Sequence, residues 1–307
     1  MLVLTLALVR PGAADDGAEY AYGDTRALVA LVERAADLVE AGGEAAFSAL
    51  AEPGSQWFTD QSYFFAYTLD GVCLLNAASP GLVGRNLIDL HDMNGKPVIR
   101  EITAIGNLAA PDAAGWVFYL WQEATQFSPA WKSAYVRKVA MPDGRIVVLG
   151  SGLYDMKIER VFVEDRIARA AALLASEGTD KAFAAFGDPA GPFIFLDTYV
   201  FVLDETGHTL VDPAFPDETG RDLSRFRDAV GAQPIAELLA RLEHDDIAWI
   251  QYLWRPPGSA AMARKLIHAH KVTVAGKTLI VGTDYVLATP IWMRVEEGTP
   301  WRADRPA

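Results

Sequence analysis

The amino-acid sequence contains the same pattern twice, about 135 residues apart. Six residues recur at a constant offset of 136: Phe65, Gly71, Pro80, Gly84, Arg85 and Leu87 match Phe201, Gly207, Pro216, Gly220, Arg221 and Leu223. Further on, G-W-V-F-Y-L-W at residues 115–121 matches A-W-I-Q-Y-L-W at 248–254, and the segment from Lys132 matches the segment from Lys265. Solenoid repeats have periods of roughly 20–50 residues, whereas this period has the size of a compact domain. The sequence therefore predicts a tandem duplication of a small domain.

Composition agrees with two folded domains and argues against two classes of partner. The chain has 307 residues, enough for two domains of about 150 residues each. Its formal net charge of −13 is unsuited to nucleic acids and to anionic membrane surfaces, because both attract clusters of Lys and Arg. The single cysteine, Cys73, excludes a disulfide within the chain and is expected to be a small apolar strand residue.

The N-terminus has features of an export signal. Residues 2–9 are apolar except for Thr5, and Gly12 and Ala14 are small residues spaced as at a cleavage site. Residues 1–14 are therefore interpreted as the remnant of a signal peptide, although a basic segment before the apolar run is missing. The alternatives are a start codon assigned too late and a buried strand. The remaining sequence contains no stretch typical of a transmembrane helix, so we expect a bacterial periplasmic or secreted protein.

Secondary-structure signals occur in the same order in both copies. In copy one, Asp24 and Thr25 are expected to begin an amphipathic helix that ends at Gly42 and Gly43. An aromatic strand then leads to a turn signal and a return strand. The later elements are a helix over 97–108, strands over 116–121, 130–139 and 145–150, and a linking helix over 156–176. This order predicts an α+β fold, in which helices precede and flank a roughly five-stranded antiparallel sheet in each copy.

The motifs in this order resemble the single-Cache type 2 family of PAS-like extracytoplasmic sensor domains. They are Y-F-F-A-Y-T-L-D-G, G-R-N-L, D-M-N-G-K, G-W-V-F-Y-L-W, K-S-A-Y-V and G-S-G-L-Y-D. The resemblance covers residues 44–155 well and 181–285 more weakly, which predicts Cache-like domains over 20–155 and 156–295. It implies a pocket on the sheet for a small organic ligand, often a short carboxylate. The chain departs from the family pattern where a His usually precedes the Pro of the return strand.

The family's architecture also differs from this chain. Such domains normally lie between two membrane helices and act on a cytoplasmic output domain, and neither is evident in this sequence. The resemblance therefore implies that a ligand-bound form acts through a separate membrane-bound signalling partner. The amphipathic N-terminal helix is a candidate for pairing two copies of the chain as a homodimer.

Aromatic residues and a lysine are the candidate ligand contacts. Tyr119 and Trp121 share one face of their strand, because successive side chains alternate between faces, and they combine apolar rings with hydrogen-bonding groups. Lys132 begins an otherwise uncharged strand segment and could neutralise a carboxylate. With the resemblance, these observations predict a carboxylate or amino-acid site in copy one, formed by Tyr67, Tyr119, Trp121, Lys132 and Tyr135. The matched candidates in copy two are Tyr252, Trp254, Lys265 and His268.

Other interpretations remain open at the sequence level. The aromatic residues are equally explained as core residues, and the lysines as exposed residues that protect a strand edge; the protein would then be a structural or interaction module. His268 and His270 lie two apart on one strand and could bind a metal, but no third ligand is evident. No motif for nucleophilic catalysis or phosphate binding is present. The chain is therefore not predicted to be an enzyme, and no cofactor or metal is expected.

Overall fold

The computed structural model describes residues 20–59, 62–122, 127–196, 198–256 and 260–287. The predicted signal segment at 1–14 and the end of the second predicted domain, beyond residue 287, lie outside these ranges. The chain divides into two compact units, with the division between Val161 and Phe162. Within the described ranges, every helix is too short or too polar to cross a membrane.

Unit 1 contains a five-stranded antiparallel sheet with helices on its faces. Its helices are α1 (Gly23–Gly42), α2 (Phe47–Leu50) and α3 (Val98–Gly106). Its strands are β1 (Phe64–Thr68), β2 (Cys73–Asn76), β3 (Ala114–Trp121), β4 (Ala130–Ala140) and β5 (Ile146–Tyr154). The strand order across the sheet is β2-β1-β5-β4-β3. The predicted α+β architecture is confirmed.

Unit 2 repeats this topology with one short strand added. Its helices are α4 (Arg160–Glu177), α5 (Thr179–Phe186) and α6 (Pro234–Leu242). Its strands are β6 (Ile194–Phe195), β7 (Thr198–Asp204), β8 (Thr209–Val211), β9 (Ile247–Trp254), β10 (Ala263–Val274) and β11 (Lys277–Val286). The order β7-β11-β10-β9 reproduces β1-β5-β4-β3, and both β8 and the two-residue β6 pair with β7.

The linking helix starts later than the sequence pattern indicates. The sequence pattern predicts its start at residue 156, directly after Asp155, but α4 begins at Arg160. Asp155 instead has a φ of 51°, in the left-handed region that a helix cap preceding the first turn does not adopt. The carboxylate of Glu159 accepts the backbone N–H groups of Ala21 and Tyr22, at 2.7 and 3.0 Å. These contacts fix the segment before α4 to the start of α1.

The two faces of the unit 1 sheet contact different helices. Helix α1 packs on β4 and β5, and α3 packs on β3, β4 and β5. The core on the α3 side contains Val117 and Tyr119 of β3 with Ala134 and Val136 of β4. In unit 2, α6 packs on the corresponding face, where the core contains Ile250 and Ile267. The candidate ligand sites lie on this face in both units.

Candidate ligand-binding site

Unit 2 contains a cavity of about 330 Å³ on the α6 side of its sheet. This volume lies within the range of roughly 300–1,000 Å³ that is usual for small-molecule sites. Two of the residues predicted from the sequence, Tyr252 and Trp254, line it. Four further aromatic residues complete its apolar walls: Tyr199, Phe201, Phe215 and Phe226.

Strand alternation and a short polar turn place the aromatic walls. Tyr199 and Phe201 are two apart on β7, so both project toward the same face. After β8, the Asp212 Oδ1 atom accepts the backbone N–H groups of Ala214 and Phe215, at 3.1 and 2.9 Å. This turn brings the Phe215 ring to 6.4 Å from the ring of Trp254, in an edge-to-face arrangement. The loop that follows β8 therefore forms one wall of the cavity.

A second aspartate attaches the next loop to the sheet. Asp228 Oδ1 accepts the N–H groups of Val230 and Ala232, and its Oδ2 accepts the N–H of Leu253 on β9 at 3.0 Å. Unit 1 repeats the arrangement, because Asp92 Oδ2 accepts the N–H of Leu120 on β3 at 2.9 Å. Asp92 was visible in the sequence only as part of the D-M-N-G-K motif. In unit 2, Asp228 fixes the loop beside Trp254. The ring centroid of Trp254 lies 4.6 Å from that of Phe226.

The polar groups of the unit 2 cavity include two carboxylates. Lys265 is almost fully buried, and its Nζ lies 2.7 Å from Asp284 Oδ2. The hydroxyl of Tyr252 donates a hydrogen bond to the same Asp284 oxygen. Burial, reinforced by the nearby charge of Asp284, raises the pKa of Asp212 to about 6. Lys265 therefore already has a counter-ion within the protein.

In unit 1 the corresponding space is almost filled. Tyr67, Tyr119 and Trp121 lie together, but the space between them and their neighbours is only about 10 Å³. That is about the volume needed for one water molecule. The sequence analysis favoured copy one as the binding copy, whereas the two volumes favour copy two.

Lys132 is buried in unit 1, and the described part of that unit places no carboxylate beside it. Its Nζ lies 3.5 Å from the ring centroid of Tyr63, and among the described residues it has no hydrogen-bond partner. Burial lowers the pKa of Lys132 to about 7. Lys132 pairs with Tyr154 on β5, and its side chain lies beside Gly152, where a Cβ would be 2.9 Å from Lys132 Cε. Asp284 occupies the matched position in unit 2, because Gly152 pairs with Ala134 and Asp284 with Ile267.

Two predicted site residues lie on the opposite face of the sheet. The Tyr135 hydroxyl donates to Glu33 Oε1 of α1 at 3.0 Å, and the His268 ring stacks 4.0 Å from that of Trp249. Their strand positions explain this, because Tyr135 is three residues after Lys132, and His268 three after Lys265. An odd spacing along a strand reverses the face. Tyr135 and His268 are therefore removed from the candidate sites.

His268 and His270 contact each other, with their Nε2 atoms 3.1 Å apart. Within the described part of the chain, no group of three or more His, Cys, Asp or Glu side chains is placed to hold a metal ion. Burial lowers the pKa of His270, so its neutral form is favoured at neutral pH.

Sequence reasoning missed the acidic residues of the unit 2 cavity. Neither Asp212 nor Asp284 is among the candidates predicted from the sequence. The repeat itself carries the missing signal: aligned from their first glycine, G-S-G (150–152) and G-T-D (282–284) set Asp284 against Gly152, and the offset of 136 sets Asp212 against Asn76. Both substitutions add a carboxylate to copy two.

Two family models match consecutive parts of the chain. One, described as Cache domain, matches residues 44–168, and the other, Single Cache domain 2, matches residues 163–286. The chain belongs to the Cache family. The family resemblance, with two copies in tandem, is thus confirmed. No curated protein matches the chain.

Several solved structures of sensor domains are similar to parts of this Cache protein. A methyl-accepting chemotaxis protein from Vibrio parahaemolyticus is 27% identical over 43% of this chain and 82% of its own, with a TM-score of 0.32. A periplasmic sensor domain of a chemotaxis protein is 28% identical over 42% of this chain and 89% of its own, with a TM-score of 0.33. A Cache chemosensory domain with carboxylic acid recognition is 18% identical over 40% of this chain and 84% of its own, with a TM-score of 0.33.

Proposed function

We propose that this protein binds a small organic molecule in unit 2 and acts as an extracytoplasmic sensor or binding protein. The observation that carries the proposal is the cavity of about 330 Å³ on the sheet, with aromatic walls and a few buried polar groups. Cache domains are extracytoplasmic sensor domains, and a cavity of this composition is typical of a small-molecule site. This assignment moves the expected site from copy one to copy two.

A second candidate function is carboxylate binding in unit 1 through Lys132. The buried Nζ with no hydrogen-bond partner in the described chain supports it, because an ammonium buried without a counter-ion is costly and a ligand carboxylate would relieve that cost. The space beside Tyr67 and Tyr119 is about 10 Å³, so the surrounding side chains must move to admit an organic acid. The unit 2 cavity accepts a ligand without such movement.

The proposed function includes no catalytic step. The sensor would report ligand binding to a separate membrane-bound partner, as the family resemblance implies. Homodimerisation through α1 is also retained as a proposal. Leu28, Val32 and Val39 of α1 are buried within the chain, whereas Leu38 is 41% exposed. Pairing would therefore use the side of the helix that carries Leu38.

The first experiment is a ligand screen on the full chain by thermal shift, using organic acids, amines and amino acids. A ligand at about 100 times its Kd should stabilise the folded protein by about 2.7 kcal/mol. Trp254→Ala and Trp121→Ala are matched variants of the two units. We expect binding to be lost in Trp254→Ala and retained in Trp121→Ala. The reverse pattern would assign the ligand to unit 1, and a well-folded protein that binds no member of the panel would favour the interaction-module function.

A further inference from the structure

Three matched positions give the two units opposite charges at their candidate sites. Asn76, Lys132 and Gly152 in unit 1 correspond to Asp212, Lys265 and Asp284 in unit 2. Unit 1 therefore has one lysine and no carboxylate at these positions, whereas unit 2 has one lysine and two carboxylates. A ligand anion would gain from the first arrangement, and a ligand cation from the second.

Lys265 is unavailable to a ligand anion. Its side chain is almost fully buried and pairs with Asp284 Oδ2 at 2.7 Å. The cavity is lined by Asp284 and Asp212 rather than by the lysine. A ligand carboxylate would therefore meet two carboxylates before it reached the lysine, which disfavours its binding.

Two buried oxygen atoms of the cavity residues are free to accept hydrogen bonds. Asp284 Oδ1 and Thr209 Oγ1 are both buried, and neither has a hydrogen-bond partner in the part of the chain that the structure describes. Both residues line the cavity. An ammonium group carries two or three N–H donors. It could therefore donate hydrogen bonds to these two oxygen atoms and neutralise the net negative charge of Asp212, Asp284 and Lys265.

The aromatic walls favour the same class of ligand. Six rings line the cavity, and Trp254 forms edge-to-face pairs with Phe215 and with Phe226. Protein cations already lie near three of the rings: Arg255 Cζ is 5.5 and 5.7 Å from the ring centroids of Phe215 and Trp254, and Lys265 Nζ is 5.7 Å from that of Tyr199. The face of an aromatic ring attracts a cation, with a gain of roughly 0.5–2 kcal/mol per contact. Aromatic rings together with carboxylates are a suitable environment for an organic ammonium ion.

The other charged residues lining the cavity balance one another. Arg221 pairs with Glu218 at 2.8 Å, and the remaining pair, Asp222 and Arg225, has one charge of each sign. These four residues therefore leave the net negative charge of Asp212, Asp284 and Lys265 unchanged. The exposed Arg255, which is not part of the lining, is a further cation beside the rings of Phe215 and Trp254.

We propose that the unit 2 cavity selects ligands with an ammonium group, which binds between Asp212 and Asp284 against the aromatic walls. This inference rests on the proposed function of unit 2 and specifies the ligand class. Simple amines and the amino group of an amino acid share this chemistry. Arg225 also lines the cavity and is the candidate partner for the carboxylate of an amino acid, in competition with Asp222.

The test is isothermal titration calorimetry of the full chain at pH 7.5 with butylamine, norvaline and butyrate, which have similar carbon chains. We expect butylamine, norvaline or both to bind, and butyrate to bind at least tenfold more weakly. Binding of butylamine alone indicates a simple amine site, and preference for norvaline indicates an amino-acid site. Binding of butyrate with equal or higher affinity would overturn the inference and leave the proposed function standing.

Charge-removing variants identify the carboxylates. Asp212→Asn and Asp284→Asn should each weaken amine binding at least tenfold. Asp284→Asn should also increase butyrate affinity, because it leaves Lys265 without its counter-ion. Asp246→Asn is the control, since Asp246 is an exposed carboxylate of the same unit that pairs with Lys271, and it should change affinity less than twofold. Unchanged amine affinity in both cavity variants would contradict the inference.

The outcomes also distinguish a wrong ligand class from a wrong assignment of the binding function to unit 2. A neutral or anionic ligand whose binding Trp254→Ala abolishes would retain unit 2 as the site and reject the ammonium group. Binding of no probe to the well-folded chain would reject both. Stabilisation by Na⁺ or K⁺ alone, with no response to amines, would reject the organic ligand.

Discussion

Lys132 and Lys265 occupy matched positions in the two copies, but among the residues that the structure describes only Lys265 has a counter-ion. An ammonium buried without a partner destabilises the folded state, whereas removing one member of a buried pair costs about 3–5 kcal/mol. The close contact of Lys132 with the Tyr63 ring, at 3.5 Å, offsets part of its cost, by up to about 2 kcal/mol. The same substitution should therefore have opposite effects at the two positions.

We predict that Lys132→Met raises the unfolding free energy at pH 6 by about 1–3 kcal/mol, and that Lys265→Met lowers it by about 3–5 kcal/mol. Urea unfolding monitored by tryptophan fluorescence measures both. A loss of stability in Lys132→Met would mean that Lys132 has a partner that stabilises its charged form. The Lys265 variant is the matched control for the loss of the lysine side chain.

The pH dependence has a definite sign. The pKa of Lys132 is about 7 in the folded state, against an ordinary value of 10.5. Between these values the unfolded chain binds a proton that the folded chain does not, so the unfolding free energy of the wild type rises with pH. The advantage of Lys132→Met should be full below pH 7 and decrease as the pH rises toward 10.5. An advantage that does not change with pH would contradict burial as the cause.

At the scale of secondary-structure elements, the sequence predicted most strands and helices to within a few residues. Gly, Pro and Asp-Gly signals separate the elements, and these act locally. The start of α4 was missed because Glu159 is held by Ala21, 138 positions away. Strand alternation was available from the sequence and would have placed Tyr135 and His268 on the other face. Cavity volume was not predictable, because it depends on how side chains from separate strands and loops fill one space.

Glycines on the last strand of each unit allow an aromatic ring to lie flat on the sheet. A Cβ at Gly282 would lie 2.5 Å from Phe201 Cζ, and a Cβ at Gly150 would lie 2.7 Å from Phe65 Cζ. Contacts this short force the ring to move. Phe201 lines the unit 2 cavity, so the ring is expected to move into that space.

We predict that Gly282→Ala and Gly150→Ala each destabilise the protein by about 1–3 kcal/mol, the usual cost of overpacking a core. Only Gly282→Ala should weaken ligand binding, by about tenfold or more, because only its displaced ring occupies the cavity. Calorimetric titration with the ligand found in the screen, alongside thermal unfolding, measures both effects. Equal loss of binding in the two variants would argue that the site is not confined to unit 2.

At the scale of the whole molecule, the net charge of −13 adds a long-range contribution to ligand selection. A negative surface potential concentrates small cations near the protein and repels anions. The potential extends over about 30 Å at 0.01 M salt and about 8 Å at 0.15 M. It acts in the same direction as the two carboxylates of the unit 2 cavity, and against an organic acid that approaches Lys132.

We predict that the affinity for butylamine falls roughly threefold or more between 0.01 M and 0.3 M salt, because screening removes this long-range attraction. Titration calorimetry at several concentrations of NaCl and LiCl measures the effect. Screening depends only on ionic strength, whereas competition for the cavity depends on which cation is used, so equal curves in the two salts identify screening. Asp212→Asn should retain a similar salt dependence at its lower affinity, since it changes the total charge by only one. An affinity that is constant or rises with salt would contradict an attractive field and indicate that binding is governed by apolar contacts within the cavity.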